Sequence, residues 1–297
     1  MSVTTKSYIK LHLIVIILGF TAVLGKLITL SAVDMIWYRM LIAAISLGVY
    51  VRFKGISVKY SVSAIIQMAG VGLIIAIHWI AFFYSIKISN VSVALGCFAS
   101  FTFFTSILEP VIFRRKFNWL ELLIGVVIII GLYIIFQFEF RYKFGIITSV
   151  LAALLAALFT VLNKKLITNY HPVSISFFEM ASGFVWITIY MVFSGEFTKG
   201  FPIPSTMDWV WLLVLGVVCT SYAFVVSVGV MKVVSAYTVS LAINMEPVYG
   251  IILASLIFQE SEYMSGGFYA GTIIIIIAVF MFPVLNRRAS SIRQELH

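Results

Sequence analysis

The sequence predicts an all-α integral membrane protein in which ten transmembrane helices form two inverted five-helix repeats. Three observations predict it. Of the 297 residues, 62% are hydrophobic and 10% charged, whereas soluble domains run at about 45–50% apolar and about 25% charged. The apolar residues fall in runs of about 20, the length of helix that crosses the roughly 30 Å hydrocarbon layer. The first five runs then match the second five in order, and an odd-numbered repeat has to place its second copy upside down in the bilayer.

The spans fall at 9–30, 33–51, 63–86, 90–113, 119–138, 144–166, 173–193, 208–230, 235–258 and 264–285. The first is too long for a cleavable signal core and lacks a small-residue cleavage site, so it is expected to stay as a span. The fifth and tenth contain the runs Val126-Val127-Ile128-Ile129-Ile130 and Ile273-Ile274-Ile275-Ile276-Ile277. A β-barrel strand would need only alternate residues apolar, so these runs exclude it. Gly267 and Gly271 give the tenth span a GxxxG helix-packing face. The longest loop, about 194–207, carries Gly195, Gly200, Pro202 and Pro204.

The net charge of +9 is distributed unevenly. Lys6, Lys10, Arg52, Lys54, Lys59, Arg114, Arg115, Lys116, Lys164, Lys165, Lys232, Arg287, Arg288 and Arg293 gather on one side, and Lys87, Arg141, Lys143 and Lys199 on the other. By the positive-inside rule both termini are cytoplasmic. Short loops and the lack of a targeting segment suggest a prokaryotic inner (plasma) membrane. Cys97 and Cys219 lie in different spans and read as small packing residues.

The repeat shows when the halves are written over one another. Trp37-Tyr38-Arg39-Met40 matches Phe177-Phe178-Glu179-Met180, Leu24-Gly25-Lys26-Leu27-Ile28 matches Asn163-Lys164-Lys165-Leu166-Ile167, Lys87 matches Lys232, and Ile112-Phe113 matches Ile257-Phe258. Matches in one order with a slowly drifting offset divide the chain into repeats 1–143 and 144–297, together one membrane domain. Inverted repeats of this kind are the build of secondary transporters.

Asn244-Met245-Glu246-Pro247-Val248, followed by Ile257-Phe258-Gln259-Glu260 and Gly271, resembles the end of the second repeat in the EamA-type branch of the drug/metabolite transporter superfamily. Arg39, early in the second span, fits the same pattern. Gln259 stands where the family usually has glycine. In the first half Thr102 replaces the corresponding proline, and Glu109-Pro110 comes later. The resemblance implies a ten-helix exporter or facilitator of small metabolites with a central cavity between the halves.

An ionisable group at the bilayer centre costs at least about 2.5–3.5 kcal/mol on insertion scales, so each one inside a span is a candidate for function. Glu246 lies halfway along the ninth span beside Pro247, which cannot donate a hydrogen bond and frees a carbonyl one turn earlier. It can hold a substrate amine, a cation or a proton; the bland alternative is a capped structural glutamate. Lys26, Arg39 and His78 lie in the outer half. Lys26 and Arg39 either snorkel to the surface or line an outward mouth for an anionic group. His78 is either a hydrogen-bonded structural residue or a proton carrier. Trp79 and Phe82 beside it, with Trp37 and Tyr38 opposite, make either an aromatic wall for substrate or an interfacial belt. Toward the cytoplasm Lys164, Lys165 and Glu179 mirror Lys26 and Arg39, and a Lys–Glu pair there is either an inner gate or an ordinary structural ion pair. Glu109 is expected near Arg114 or in the same network.

No catalytic, metal-binding or phosphate-binding motif occurs, and no cofactor, metal or nucleic-acid partner is expected. The reading is therefore a secondary transporter of small metabolites such as amino acids, working by alternating access in the lipid bilayer, with proton coupling or uncoupled facilitation both open. The alternatives are an intramembrane enzyme acting on lipid, and a receptor or assembly protein.

Overall fold

The computed structural model describes residues 3–295. The side chains of Lys6, Lys199, Arg287, Arg288 and Arg293, which carry part of the charge asymmetry, lie outside the described residues. Nine helical spans among the described residues are long and apolar enough to cross a bilayer. They are α1 (Val3–Leu27), α2 (Ala32–Lys54), α3 (Val62–Ile88), α4 with α5 (Val91–Phe98, Phe101–Phe113), α6 (Trp119–Phe138), α7 (Lys143–Leu166), α8 (Pro172–Phe193), α9 with α10 (Thr206–Leu213, Ala223–Val230) and α11 with α12 (Ala236–Ile243, Glu246–Phe258). The tenth helix, α13 (Gly266–Glu295), opens with the apolar stretch Gly266–Ala278.

Local chemistry sets the starts of these helices. Ser31, Ser61, Asn90, Asn118, Ser205 and Ser235 each turn a side-chain oxygen to a backbone N–H of the first turn, satisfying donors that no helical carbonyl reaches. Burial runs opposite to that of a soluble protein. Ile9, Leu13, Ile16 and Phe20 form an exposed stripe on α1, while Arg39, His78, Glu179, Asn163 and Glu246 lie inside. Only a hydrocarbon solvent rewards that arrangement. The protein is an integral membrane protein.

Side-chain bonds sort the turns into two ends. At one end Thr29 donates from N and Oγ1 to Asp208, Tyr38 Oη donates to the Pro202 carbonyl, Lys26 pairs with Glu262, and Ser265 N donates to Glu139. At the other, Ser174 Oγ donates to the Ser57 carbonyl, Lys164 Nζ to the Val234 carbonyl, and Tyr237 N to Glu109. The second end holds Arg52, Lys54, Lys59, Arg114, Arg115, Lys116, Lys164, Lys165 and Lys232, and is called the basic face below.

Packing between the halves follows a two-fold exchange of roles. α1 lies on α12 as α7 lies on α5, and α3 lies on α7 as α10 lies on α1. α2 packs on α8 and α6 on α13, each a helix against its own counterpart. At the last contact a Cβ on Gly271 would stand 2.6 Å from the Gly131 carbonyl oxygen, and one on Gly131 would stand 2.8 Å from that of Gly271. Glycine at both positions lets the two backbones touch.

Two spans depart from continuous helix in a matched way. Thr102 in place of a proline gives no reason to expect a break in the fourth span. Even so, α4 has 8 residues and α5 has 13, parted at Ala99-Ser100, while α11 has 8 and α12 has 13, parted at Asn244-Met245. The eighth span changes winding instead: Val214–Tyr222 is π-helical, with Thr220 Oγ1 donating to the Leu215 carbonyl at 2.7 Å and Ser221 Oγ to that of Gly216 at 2.9 Å. These hydroxyls reach five residues back, the step at which a π turn's own bonds are made.

Candidate functional site

The two breaks meet at the centre. Asn244 Nδ2 donates to the Ala99 carbonyl at 2.9 Å and to Thr102 Oγ1 at 2.7 Å, so the ninth span's break is tied to the fourth's. This bond also accounts for a break without proline. The Ala99 carbonyl has a partner from outside its own helix, and Ser100 Oγ donates back to the Cys97 carbonyl at 2.8 Å. A helix can open where other groups re-satisfy its backbone.

Around the breaks lies a cavity of about 90 Å³. Phe98 and Phe101 line it from the fourth span, Ile243 and Glu246 from the ninth. Arg39, His78, Trp79 and Phe82 contribute from α2 and α3, and Phe159, Asn163, Phe224 and Met231 carry it toward the basic face. Five residues singled out in the sequence, Arg39, His78, Trp79, Phe82 and Glu246, therefore share one wall system.

Arg39 is 1% exposed. Its Nε donates to Thr220 Oγ1 at 2.7 Å, and its guanidinium carbon lies 3.8 Å from the Trp79 ring centroid. The π segment is thus where the arginine is held, and the indole face supplies a cation–π contact. Its Nη1 is buried without a hydrogen-bond partner. Glu246 is the first residue of α12, where helix amides favour a negative charge. No hydrogen bond or ion pair to its carboxylate occurs among the described residues, and no ion pair within 4 Å joins it to Arg39. A guanidinium and a carboxyl group therefore face the same small space with no direct bond between them among the described residues.

His78 is placed by its Nδ1, 2.8 Å from the Ala152 carbonyl oxygen. A carbonyl only accepts, so Nδ1 carries the proton and Nε2 of the neutral ring is an acceptor. Seven residues on, Ser85 Oγ donates to the Gly145 carbonyl at 2.7 Å. These two bonds pin α3 to the small-residue face of α7. The imidazole lies among Phe82, Phe98 and Phe159, with ring centroids 5.3–6.4 Å away.

The other candidates fall outside this cavity. Trp37 Nε1 donates to Thr188 Oγ1 at 2.8 Å and its ring packs on Phe184, Phe197 and Phe201, while Tyr38 packs on Trp209. They hold the 194–205 loop instead of facing Trp79 across the site. Lys26 forms a 2.7 Å ion pair with Glu262, whose carboxylate also accepts from Val91 N, Ser92 N and Ser92 Oγ at the start of α4. The pair lies at the end opposite the basic face. The Lys–Glu pair expected of Lys164, Lys165 and Glu179 does not form: Lys164 Nζ donates to the Met231 and Val234 carbonyls, Lys165 is exposed, and Glu179 is buried beside Asn163. Glu109 pairs with Arg115 at 3.4 Å, not Arg114, and accepts from Tyr237 N at the start of α11 at 2.8 Å. The α4 and α11 starts are thus each held by a carboxylate from the opposite half.

Beside the cavity's basic end lies a wider recess of about 650 Å³ bounded by Lys164, His171, Met231 and Lys232. Burial, with Lys232 nearby, lowers the His171 pKa below its ordinary value, so the ring is neutral at pH 7 and the positive charge there comes from the lysines. Asn244, Asn163, Thr220, Phe98, Phe101, Phe159 and Phe224 were not anticipated as site residues. An Asn inside an apolar span was a usable signal for the first two.

A profile described as the EamA-like transporter family matches residues 5–137 and again 143–283. The chain belongs to the EamA-like transporter family. Among relatives of this EamA protein, an uncharacterized transporter named YxxF of Bacillus subtilis is 22% identical over 293 residues, covering 95% of this chain and 91% of its own. An uncharacterized transporter of Archaeoglobus fulgidus is 24% identical over 237 residues, covering 78% and 81%. A solved crystal structure matches the fold with a TM-score of 0.70 at 13% identity, over 96% of this chain and 99% of that one. The EamA protein is a membrane transporter.

Proposed function

We propose that this EamA protein is a secondary transporter of small zwitterionic metabolites, amino acids above all, that binds its cargo between Arg39 and Glu246 and exports it by alternating access. The observation that carries the reading is that Arg39 and Glu246 line one cavity with no ion pair between them. An α-carboxylate fits the free Nη1 of Arg39, an α-ammonium fits the carboxylate of Glu246, and Trp79, Phe82, Phe98 and Phe101 suit an apolar or planar side chain. Broken helices meeting at the midplane are where transporters of this build place their sites.

In this reading the repeats are 1–143 and 144–297, joined at the turn Phe140–Tyr142. The basic face is cytoplasmic, both termini lie on that side, and the membrane is a prokaryotic inner membrane. Export is the direction the family resemblance implies. The cavity reaching toward Met231 on the basic face, with Lys26–Glu262 closed on the other, then corresponds to a cytoplasm-leaning state.

Counterflow in proteoliposomes tests the reading: vesicles preloaded with unlabelled amino acids should take up the labelled form. Arg39→Gln and Glu246→Gln should each reduce uptake at least about tenfold, the cost of one charge-assisted hydrogen bond. Uptake unchanged in both variants would remove the cargo from this cavity. No solute movement together with chemical change in the lipid would replace a transporter with an enzyme.

A further inference from the structure

Glu179 is the counterpart of Arg39 in the second repeat, yet it takes no part in the substrate cavity described above. It is 0% exposed, and its Oε2 accepts from Asn163 Nδ2 at 3.5 Å. Two buried oxygens in this pair lack a hydrogen-bond partner: Glu179 Oε1 and Asn163 Oδ1. Both are acceptors when the glutamate is ionised, so the pair is short by one donor. A proton on Glu179 is that donor. A neutral carboxylic acid and a primary amide can close a ring of two hydrogen bonds, the acid O–H donating to the amide oxygen and the amide N–H to the acid carbonyl.

The surroundings supply no substitute. Among the described residues no ion pair reaches Glu179. Of the ionisable groups on the helices around it, Arg39 of α2 is held by Thr220, His78 of α3 by Ala152, and Lys164 of α7 by the Met231 and Val234 carbonyls; Lys165 is exposed. α10 carries no ionisable residue. Gly72 of α3 lies against the Glu179 backbone, where a Cβ would stand 3.1 Å from its Cα, so bulk is excluded there too. Asn163, in contrast, lines the cavity, so the carboxylate stands one side chain away from it.

We infer that Glu179 and Asn163 form a proton-binding site through which the transport cycle is coupled to the proton gradient. Protonated, the pair bridges α7 and α8 beside the basic-face end of the cavity. Deprotonated, the carboxylate needs water or another donor, and the wall formed by Asn163, Thr160 and Met231 has to open to provide it. Substrate at Arg39 and Glu246 and a proton at Glu179 then act on the same wall from two sides. The coupling rests on the transporter reading, whereas the proton site itself does not.

Two measurements on the purified full-length protein test this. In infrared difference spectra across a pH titration, the carbonyl stretch of a protonated carboxylic acid should be present, be lost in Glu179→Gln, and persist in Glu246→Gln. The introduced glutamine keeps a neutral amide pair with Asn163, so the variant should fold. An unchanged acid band in Glu179→Gln overturns the proton site. In proteoliposomes a pH gradient should drive solute accumulation in wild type, and Glu179→Gln should retain counterflow while losing at least tenfold of the gradient-driven accumulation. Accumulation driven equally well in Glu179→Gln, or driven by sodium in place of protons, overturns the coupling. If wild type moves no solute, the transporter reading fails, and the infrared band still decides the site.

Discussion

Removing the amide of Asn244 is the most direct way to ask whether the two broken helices support each other. The side chain is 3% exposed and gives both amide hydrogens across the halves, to the Ala99 carbonyl at 2.9 Å and Thr102 Oγ1 at 2.7 Å. Interhelical hydrogen bonds inside membranes average about 0.6 kcal/mol and reach about 1.7. Two of them therefore predict a loss of about 1–3 kcal/mol for Asn244→Ala, because the Ala99 carbonyl also loses its outside partner at a helix break. Asn244→Asp separates bond from volume: the shape is kept, but both donors are gone and a carboxylate faces a carbonyl. Unfolding in mild detergent should give wild type > Asn244→Ala, with Asn244→Asp at least as destabilised as Ala. The Thr102→Val variant should lose about half as much, since one of the two bonds survives. Equal stability of wild type and Asn244→Asp would refute the reasoning, for it would mean that the breaks persist without the tie.

Three further outcomes follow from the packing. Glu262→Ala should destabilise by about 3–5 kcal/mol, the usual cost of breaking a buried charge network, whereas Lys26→Met should cost less because Glu262 keeps the three donors of Val91 and Ser92; chemical denaturation of the two variants side by side checks the order. Arg39→Lys keeps the charge but gives up the Thr220 bond and most of the Trp79 contact, and should weaken cargo binding about tenfold or more in equilibrium binding measurements; wild-type affinity would show that charge alone suffices. Gly271→Leu has to push α13 off the Gly131 carbonyl and should lower stability by about 1–3 kcal/mol in thermal unfolding, while Gly70→Ala, with nothing near its added Cβ, should lie within about 1 kcal/mol of wild type.

How far the sequence could be read depended on what kind of information each feature carries. Span number and polarity are summed over twenty residues at a time, so they were legible, as were the ionisable residues that a hydrocarbon solvent makes rare. Arg39, His78, Trp79, Phe82 and Glu246 came from that rarity and from helical spacing, and all five line the cavity. The break in the fourth span was hidden because its cause is tertiary: the donor that holds Ala99 belongs to Asn244, far away in sequence. The π turn at Val214–Tyr222 was hidden as well, since its local residues suit an α-helix and only the hydroxyl bonds five residues back mark it. Lys26 was given no partner in the sequence and pairs with Glu262, while Lys164, expected to pair with Glu179, reaches carbonyls instead. A long flexible cation finds carbonyls or a carboxylate within its reach, and a sequence gives no measure of which is nearer.

The repeat explains why the site is asymmetric. Duplication set Arg39 and Glu179 at equivalent positions of α2 and α8, two helices that pack on each other as a self-pair of the exchange. Had both been arginine, two cations would have been buried on this pair of packed helices, with Glu246 the carboxylate on the cavity beside them. Opposite signs avoid that repulsion and differentiate the two ends. Thr220 and Trp79 fix the guanidinium at the Arg39 end, which on the proposed reading holds a ligand anion. The Glu179 end has an amide partner and, among the described residues, no ion pair, which suits the variable charge proposed for it. On the proposed reading the fixed charge selects cargo and the variable one responds to a gradient, and the repeat supplies both from one repeated position, with Arg39 on the cavity and Glu179 behind the Asn163 that lines it.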